Sequence, residues 1–268
     1  MTAALRIVAP HETRTPVAPS TPSVPKGRES GIAPRFNPDP VALALSGVGL
    51  DLAELSVRVT SADERDPQSR DALRAAWTCW SESQRALLEE VGKDPSIPSD
   101  EFTRQDQWLT VRYGKECMGV AAFRWLDLDL PYFEEDSYFR VWPEDARRAI
   151  RAIGSKVCLV SNVAVARAWR GRFGAFNVKS LLVGLGIQHF NESDADLIVA
   201  TMRNMRGMNK VTYHFGATPL VVGLTHPTYG EEIDLITVVK RPDEERFPHD
   251  LNGDLTRIVW RDQKEETS

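Results

Sequence analysis

From Leu55 onward the chain switches between two hydrophobic rhythms. "LSVRVT" (55–60) sets apolar side chains at every second position, the pattern of a half-buried strand. "SRDALRAAWTCWSESQRALLEE" (69–90) spaces Leu73, Ala76, Trp77 and Trp80 three and four apart, which predicts a helix. Two strand-like runs within "DQWLTVRYGKECMGVAAFRWL" (106–126) flank Gly114-Lys115, a hairpin signal. A long acidic and aromatic insert follows, with a short helix predicted near 143–153. The Val- and Leu-rich run 157–165 reads as a buried strand, and after a turn Val178, Leu181, Leu182, Leu185 and Phe190 trace one face of a helix. "ADLIVATM" (195–202) predicts a strand and 203–216 a short helix ending at Gly216. Residues 218–224 and 231–242 predict two closing strands joined by "THPTYG".

The order β-α-β-β-(insert)-β-α-β-α-β-β predicts an α/β (α+β) domain, a mixed central sheet flanked by helices, and excludes an all-α bundle or a β-sandwich. The first 50 residues break the rhythm. They are rich in Pro, Ser and Thr and hold few large apolar side chains, so they are expected to form a disordered tail. The folded domain is expected over 51–262, with 263–268 frayed.

Composition adds limits. Of 268 residues, 42% are hydrophobic and 26% charged, which suits one domain with a large core. No apolar run approaches the ~20 residues of a membrane span, and the N-terminus does not read as a signal peptide, so a cytoplasmic protein is expected. Cys79, Cys117 and Cys158 are not spaced for metal, and no two of the five histidines share ligand spacing on one predicted helix; no metal site is expected.

Charge changes the picture at one place. The chain carries a net charge of −5, yet from Lys156 to Asn191 there is no Asp or Glu, while Lys156, Arg167, Arg170, Arg172 and Lys179 all occur. Within this segment "RGRFGA" sits between the buried strand and a helix N-terminus. Such a turn aims unpaired backbone N–H groups and the positive end of a helix dipole at one point, a natural seat for phosphate.

The strand and turn "VAVARAWRGRFGA" resemble the donor-binding segment of the GCN5-related N-acetyltransferase (GNAT) superfamily. The resemblance implies a fold in which this strand splays from its neighbour, pantetheine lies in the gap, and the turn holds the donor phosphates. It assigns Val163, Val165, Arg170, Gly171, Arg172, Gly174 and Ala175 to the donor. Phe173 stands where the first cradling glycine is expected, with Gly174 one place late. Tyr213 lies one residue from the usual general-acid position, which Thr212 occupies.

Within that superfamily the chain resembles the autoinducer synthases and the N-acyl amino acid synthases. "SDEFTRQDQWL", with Asp100, Glu101 and Asp106, is similar to their acidic segment before the second strand; Arg124 and "LPYFEEDSYF" are similar to their hairpin arginine and insert. The strand keeps Ser161 and Val165 of their pattern and carries Leu159 and Asn162 in place of Glu and Arg. The resemblance implies an N-acyltransferase that takes its acyl group from acyl-CoA or from the phosphopantetheine of an acyl carrier protein, with no permanently bound cofactor. Expected partners are the carrier protein and a small amine, with no nucleic acid.

Acyl transfer to an amine needs a deprotonated nucleophile, a polarised carbonyl and a protonated leaving thiolate. Asp106 and Glu134 are the candidate proton acceptors, Tyr213 and Ser161 the candidates at the sulfur, and Arg124, Asn162, His226 and Tyr229 the candidate acceptor contacts. Each also fits a plainer role: a solvated acidic loop, a strand-end arginine, packing aromatics in the insert, turn residues at 226–229. Two other functions remain open on the sequence: an acetyl-CoA-dependent acetyltransferase acting on a small amine, and a GNAT-like module that binds a thioester without turnover.

Overall fold

The computed structural model describes residues 39–171, 173–227, 229–240 and 247–267. The chain forms helix α1 (Asp39–Ser46), strand β1 (Leu55–Ser61), α2 (Pro67–Glu90), α3 (Asp100–Thr103), β2 (Gln107–Tyr113), β3 (Glu116–Asp127), α4 (Pro131–Glu134), α5 (Glu144–Ile153), β4 (Lys156–Val165), α6 (Val178–Glu192), β5 (Leu197–Arg203), α7 (Met208–His214), β6 (Thr218–Thr225), β7 (Glu232–Val239) and α8 (Leu251–Thr267). The seven strands make one mixed sheet in the order β1-β2-β3-β4-β5-β7-β6, in which only β4 and β5 run parallel. This is the mixed, helix-flanked sheet that the hydrophobic pattern predicts.

Strand alternation divides the core between the two faces of the sheet. On β5, Ile198, Ala200 and Met202 join one cluster with α6 and α8, while Leu197 and Val199 join another with α5 and the insert. α2 covers the second face beside the insert, where Ala76, Cys79 and Trp80 meet Trp108, Val120 and Ala122. The α2 start is set by Asp66, whose carboxylate accepts from the N–H groups of Gln68 and Ser69 at 2.9 and 3.0 Å, with Pro67 opening the helix. The two-residue hairpin at Gly114-Lys115 forms where expected, with Gly114 at φ 54°.

Three boundaries differ from the sequence reading. Residues 39–50, expected in the tail, fold onto the domain: α1 buries Val41 and Leu45, and Leu50 follows them into the core shared with α8. Three apolar contacts outweigh the polar composition around them; residues 1–38 lie outside the described residues. The C-terminal residues expected to fray continue α8 to Thr267, because Leu255, Ile258 and Val259 anchor that helix in the core. The predicted 203–216 helix is shorter, since β5 runs through Arg203 and α7 begins at Met208.

Candidate active site

β4 and β5 pair over three positions only, Val157 with Leu197, Cys158 with Ile198 and Leu159 with Val199. Beyond them the strands part. At Thr201 the β5 N–H donates to the Tyr138 hydroxyl at 2.8 Å rather than to β4. Tyr138 belongs to the insert, and its burial pushes its pKa up to about 12. An insert side chain thus satisfies a backbone group that the parting strands would leave bare. Past the last of these pairs β4 bulges against β3: Ala122 of β3 faces Ser161 and Val120 faces Ala164, so Asn162 and Val163 together oppose Ala121. Asn162 takes φ 52°, a left-handed conformation that Asn adopts more readily than most residues.

Three cavities open on this gap. A basic cavity of about 280 Å³ is lined by Val163, Val165, Arg170, Gly171, Lys179 and Arg206 among others. A polar cavity of about 220 Å³ brings together Ser161, Asn162, Arg124, Arg104, His226 and Tyr229. An apolar pocket of about 40 Å³ runs under the strands against α6, past Val160, Gly186, Ile187 and Met202. Val163 and Met208 line all three, so the bulge sits where the cavities meet.

In the basic cavity Arg170 is held from two sides: Nε donates to the Val165 carbonyl at 3.0 Å and a terminal nitrogen to Ser83 Oγ at 3.1 Å. Lys179 Nζ donates to the Arg206 carbonyl at 2.8 Å, and Arg206 pairs with Glu90, the one acid lining this cavity among the described residues. Lys156, the first of the acid-free run, lies elsewhere and pairs with Asp194 at 2.7 Å.

The glycine turn is built differently from a phosphate cradle. Phe173 and Phe176 exchange backbone hydrogen bonds, N–H to carbonyl at 3.0 Å in both directions, and close a tight turn on Gly174 and Ala175. The Phe173 ring packs on Trp169 with centroids 5.6 Å apart. Gly174 has φ 63°, and a Cβ there would come within 2.7 Å of Val48. The N–H groups of Phe173 and Phe176 are therefore used within the turn, and Gly174 and Ala175 are not among the cavity-lining residues. Arg172 falls outside the described residues.

In the polar cavity Ser161 Oγ bonds Gln105 Oε1 at 3.2 Å, and Arg124 pairs with Asp136 at 2.7 Å, both side chains about 15% exposed. His226 and Tyr229 stack at 4.6 Å, and Arg203, ion-paired with buried Glu231, lies 5.0 Å from the Tyr229 ring. Burial lowers the His226 pKa, favouring neutral imidazole. No carboxylate lines this cavity among the described residues.

Two expected catalytic groups lie away from these cavities. Asp106 is exposed, and its Oδ2 accepts from the Trp125 N–H at 2.7 Å, so the carboxylate ties β2 to β3. The Tyr213 hydroxyl donates to Asp234 Oδ2 at 2.5 Å; burial, and that carboxylate, raise its pKa. It is neighbouring Thr212 that reaches the apolar pocket. Glu134 closes the short helix α4, and its side chain is not among those described. The sequence reading missed Ser83, Gln84, Arg104, Arg203 and Arg206, which come from elements distant in the chain; the basic stretch "RNMRGM" directly after β5 was the one local sign of them.

A mixed sheet of this order, with its one parallel pair splayed and a bulge at the gap, decides the fold class: mixed α/β, with the splayed strand that the GNAT resemblance implies. Solved structures similar to this chain include the N-acyl amino acid synthase FeeM from uncultured soil microbes, 16% identical, with 69% of this chain and 90% of that one covered at a TM-score of 0.46. The CoA-dependent acyl-homoserine lactone synthase BjaI is 16% identical over 78% of this chain and 90% of its own, at 0.48. Mosquito arylalkylamine N-acetyltransferase like 5b is 12% identical over 69% and 99%, at 0.45. No protein-family model and no curated protein matches the sequence. The resemblance drawn from sequence placed the donor along Val163–Ala175; the structure brings Val163, Val165, Arg170 and Gly171 to one cavity and leaves Gly174 and Ala175 outside it.

Proposed function

We propose that the chain is an N-acyltransferase that moves an acyl group from a phosphopantetheine thioester, on acyl carrier protein or coenzyme A, to the amine of an amino acid or similar small acceptor. The observation that carries this reading is the meeting of a basic, a polar and an apolar cavity at Val163. A phosphopantetheine thioester has those three parts: an anion, a reactive carbonyl and an acyl chain. Arg170 and Lys179 receive the phosphate, the bulged backbone at Asn162–Val163 faces the carbonyl, and the acyl group enters between β4 and α6. The closed 173–176 turn favours a donor that carries no diphosphate, which suits a carrier-protein phosphopantetheine with its single phosphate.

The acceptor enters the polar cavity, where Arg104, Arg124 and Arg203 suit a carboxylate and Ser161, Asn162, His226 and Tyr229 offer hydrogen bonds. With no carboxylate along the described lining, the acceptor's ammonium proton passes to water in the open cleft, and the free amine attacks the thioester carbonyl to form the C–N bond. The tetrahedral intermediate breaks its C–S bond, and the sulfur leaves as a thiol with the proton that the new amide nitrogen sheds.

A second reading, with a short acyl group from acetyl-CoA or a similar donor, is favoured by the small size of the apolar pocket, about 40 Å³. Incubation of the purified chain with acyl carrier protein thioesters, acyl-CoAs and pooled amino acids tests both. Free thiol release with a new acylated amino acid supports the first reading, and release from acetyl-CoA alone supports the second. Donor binding without release across a broad acceptor pool would reduce the chain to a non-catalytic module.

A further inference from the structure

Two of the three cysteines meet beneath the basic cavity. Cys79 is buried on the face of α2 that packs on the sheet, with Sγ 4.0 Å from the Ala164 carbonyl. Cys117, at the start of β3, is half-buried against the same cluster, with Sγ 3.8 Å from the Gly119 carbonyl. Gly119 pairs with Val165 and Val120 with Ala164, so both sulfurs rest against one short stretch of the β3–β4 ladder. Each sulfur stands close enough to influence the ionisation of the other.

Their surroundings are unequal. Ionisation at Cys117 is favoured by the neighbouring Cys79 thiol and by the guanidinium of Arg112, its partner across the β2–β3 ladder, which also pairs with Asp71 at 2.8 Å. Cys79 is disfavoured as a thiolate by its Cys117 neighbour and by burial. A partly exposed sulfur whose ionisation is favoured, backed by a buried thiol, is the arrangement of an attacking and a resolving cysteine. Cys158 is buried, and desolvation raises its pKa.

We propose that Cys79 and Cys117 form a reversible intramolecular disulfide when the protein meets a peroxide. The Cys117 thiolate attacks one peroxide oxygen; the S–O bond forms, the O–O bond breaks, and hydroxide leaves to become water. The Cys79 sulfur then attacks the Cys117 sulfur; the S–S bond forms, the S–O bond breaks, and the departing oxygen leaves as a second water after taking the Cys79 proton. Two thiols and one hydrogen peroxide give one disulfide and two waters, and a dithiol reductant reverses the step. The bond ties α2 to β3 one helical turn before Ser83, the residue that holds Arg170. The crosslink itself does not depend on the acyltransfer reading.

The test uses the full chain treated with hydrogen peroxide, alkylated under denaturing conditions and digested with trypsin. Cys79, Cys117 and Cys158 fall in separate peptides, 75–85, 116–124 and 157–167. The expected result is a joined 75–85/116–124 species, two hydrogens lighter than the separate peptides, that dithiothreitol reverses and that Cys117→Ser abolishes. Accumulation of Cys117 sulfinic acid beside a free Cys79, a link to Cys158, or a link between two chains would overturn the proposal. The oxidised protein should also melt at a higher temperature than the reduced one; a lower melting temperature would show that the sulfurs do not stand at bonding geometry.

Discussion

Asn252 on α8 grips the turn before α6 from both ends. Its Oδ1 accepts the Asn177 N–H at 3.0 Å and its Nδ2 donates to the Ala175 carbonyl at 3.1 Å. Asn177 in turn caps α6 through Lys179 N–H at 2.9 Å. One buried amide therefore fixes the angle at which α6 meets the rim of the basic cavity. Asn252→Ala takes this partner from two part-buried backbone groups and should cost about 1 kcal/mol, read as a lower urea midpoint at unchanged slope. An unchanged midpoint would mean that water replaces the amide without loss.

Arg170→Glu should weaken donor binding more than tenfold, since it reverses the charge of a guanidinium held in place at the cavity wall. Ser83→Ala removes one of its two supports and should give a smaller loss in the same direction. Calorimetric titration with coenzyme A and with phosphopantetheine measures both. Equal affinity in all three proteins would detach the basic cavity from the donor.

Asp106→Asn should lower stability by about 1 kcal/mol, because a neutral amide is a weaker acceptor for the Trp125 N–H, while turnover of folded enzyme stays within twofold. Paired melting and steady-state measurements check this. A large fall in kcat with unchanged melting would restore Asp106 as the proton acceptor.

The proton route gives its own signature. If water takes the acceptor's proton, kcat/KM should rise about tenfold per pH unit until the amine's own pKa is reached, with no further inflection at carboxylate pH. A limb near pH 4–5 would instead point to a carboxylate base, Glu134 first.

Buried His189 sets an acid limit on the fold. Its Nε2 bonds Gln107 Oε1 at 2.8 Å, its ring sits among Phe123, Trp125 and Trp260, and burial pulls its pKa down to about 4. The unfolded chain binds this proton near the ordinary value of about 6.5, so between pH 6.5 and 4 the unfolded state holds more protons and stability falls as pH falls. The loss should reach on the order of 3 kcal/mol by pH 4. In His189→Leu the urea midpoint should vary less across that window; an identical pH dependence would assign the acid loss to other groups.

Local rhythm made the sheet and its largest helices readable: β4 is apolar because it is buried on both faces, and α6 follows a turn with a capping Asn. α1 was hidden because its few core side chains sit in a Pro-rich context, and α8 because Asp, Arg, Gln, Lys and Glu crowd its sequence. At the site, glycines and arginines in one turn suggested a phosphate cradle, but the aromatic pair Phe173 and Phe176 closes that turn, and its other clasp, Asn252, lies more than 70 residues away. Arg203 and Tyr138 enter the site through long-range packing, which short motifs do not encode.

The three-pair seam between β4 and β5 has a consequence for how the sheet is held together. On one side β1 to β4 form a meander of sequential antiparallel partners; on the other, β5, β6 and β7 pair among themselves. Each half therefore pairs its strands without help from the other. The two halves meet along a short parallel edge, so the continuity of the sheet across its cleft rests on three residue pairs.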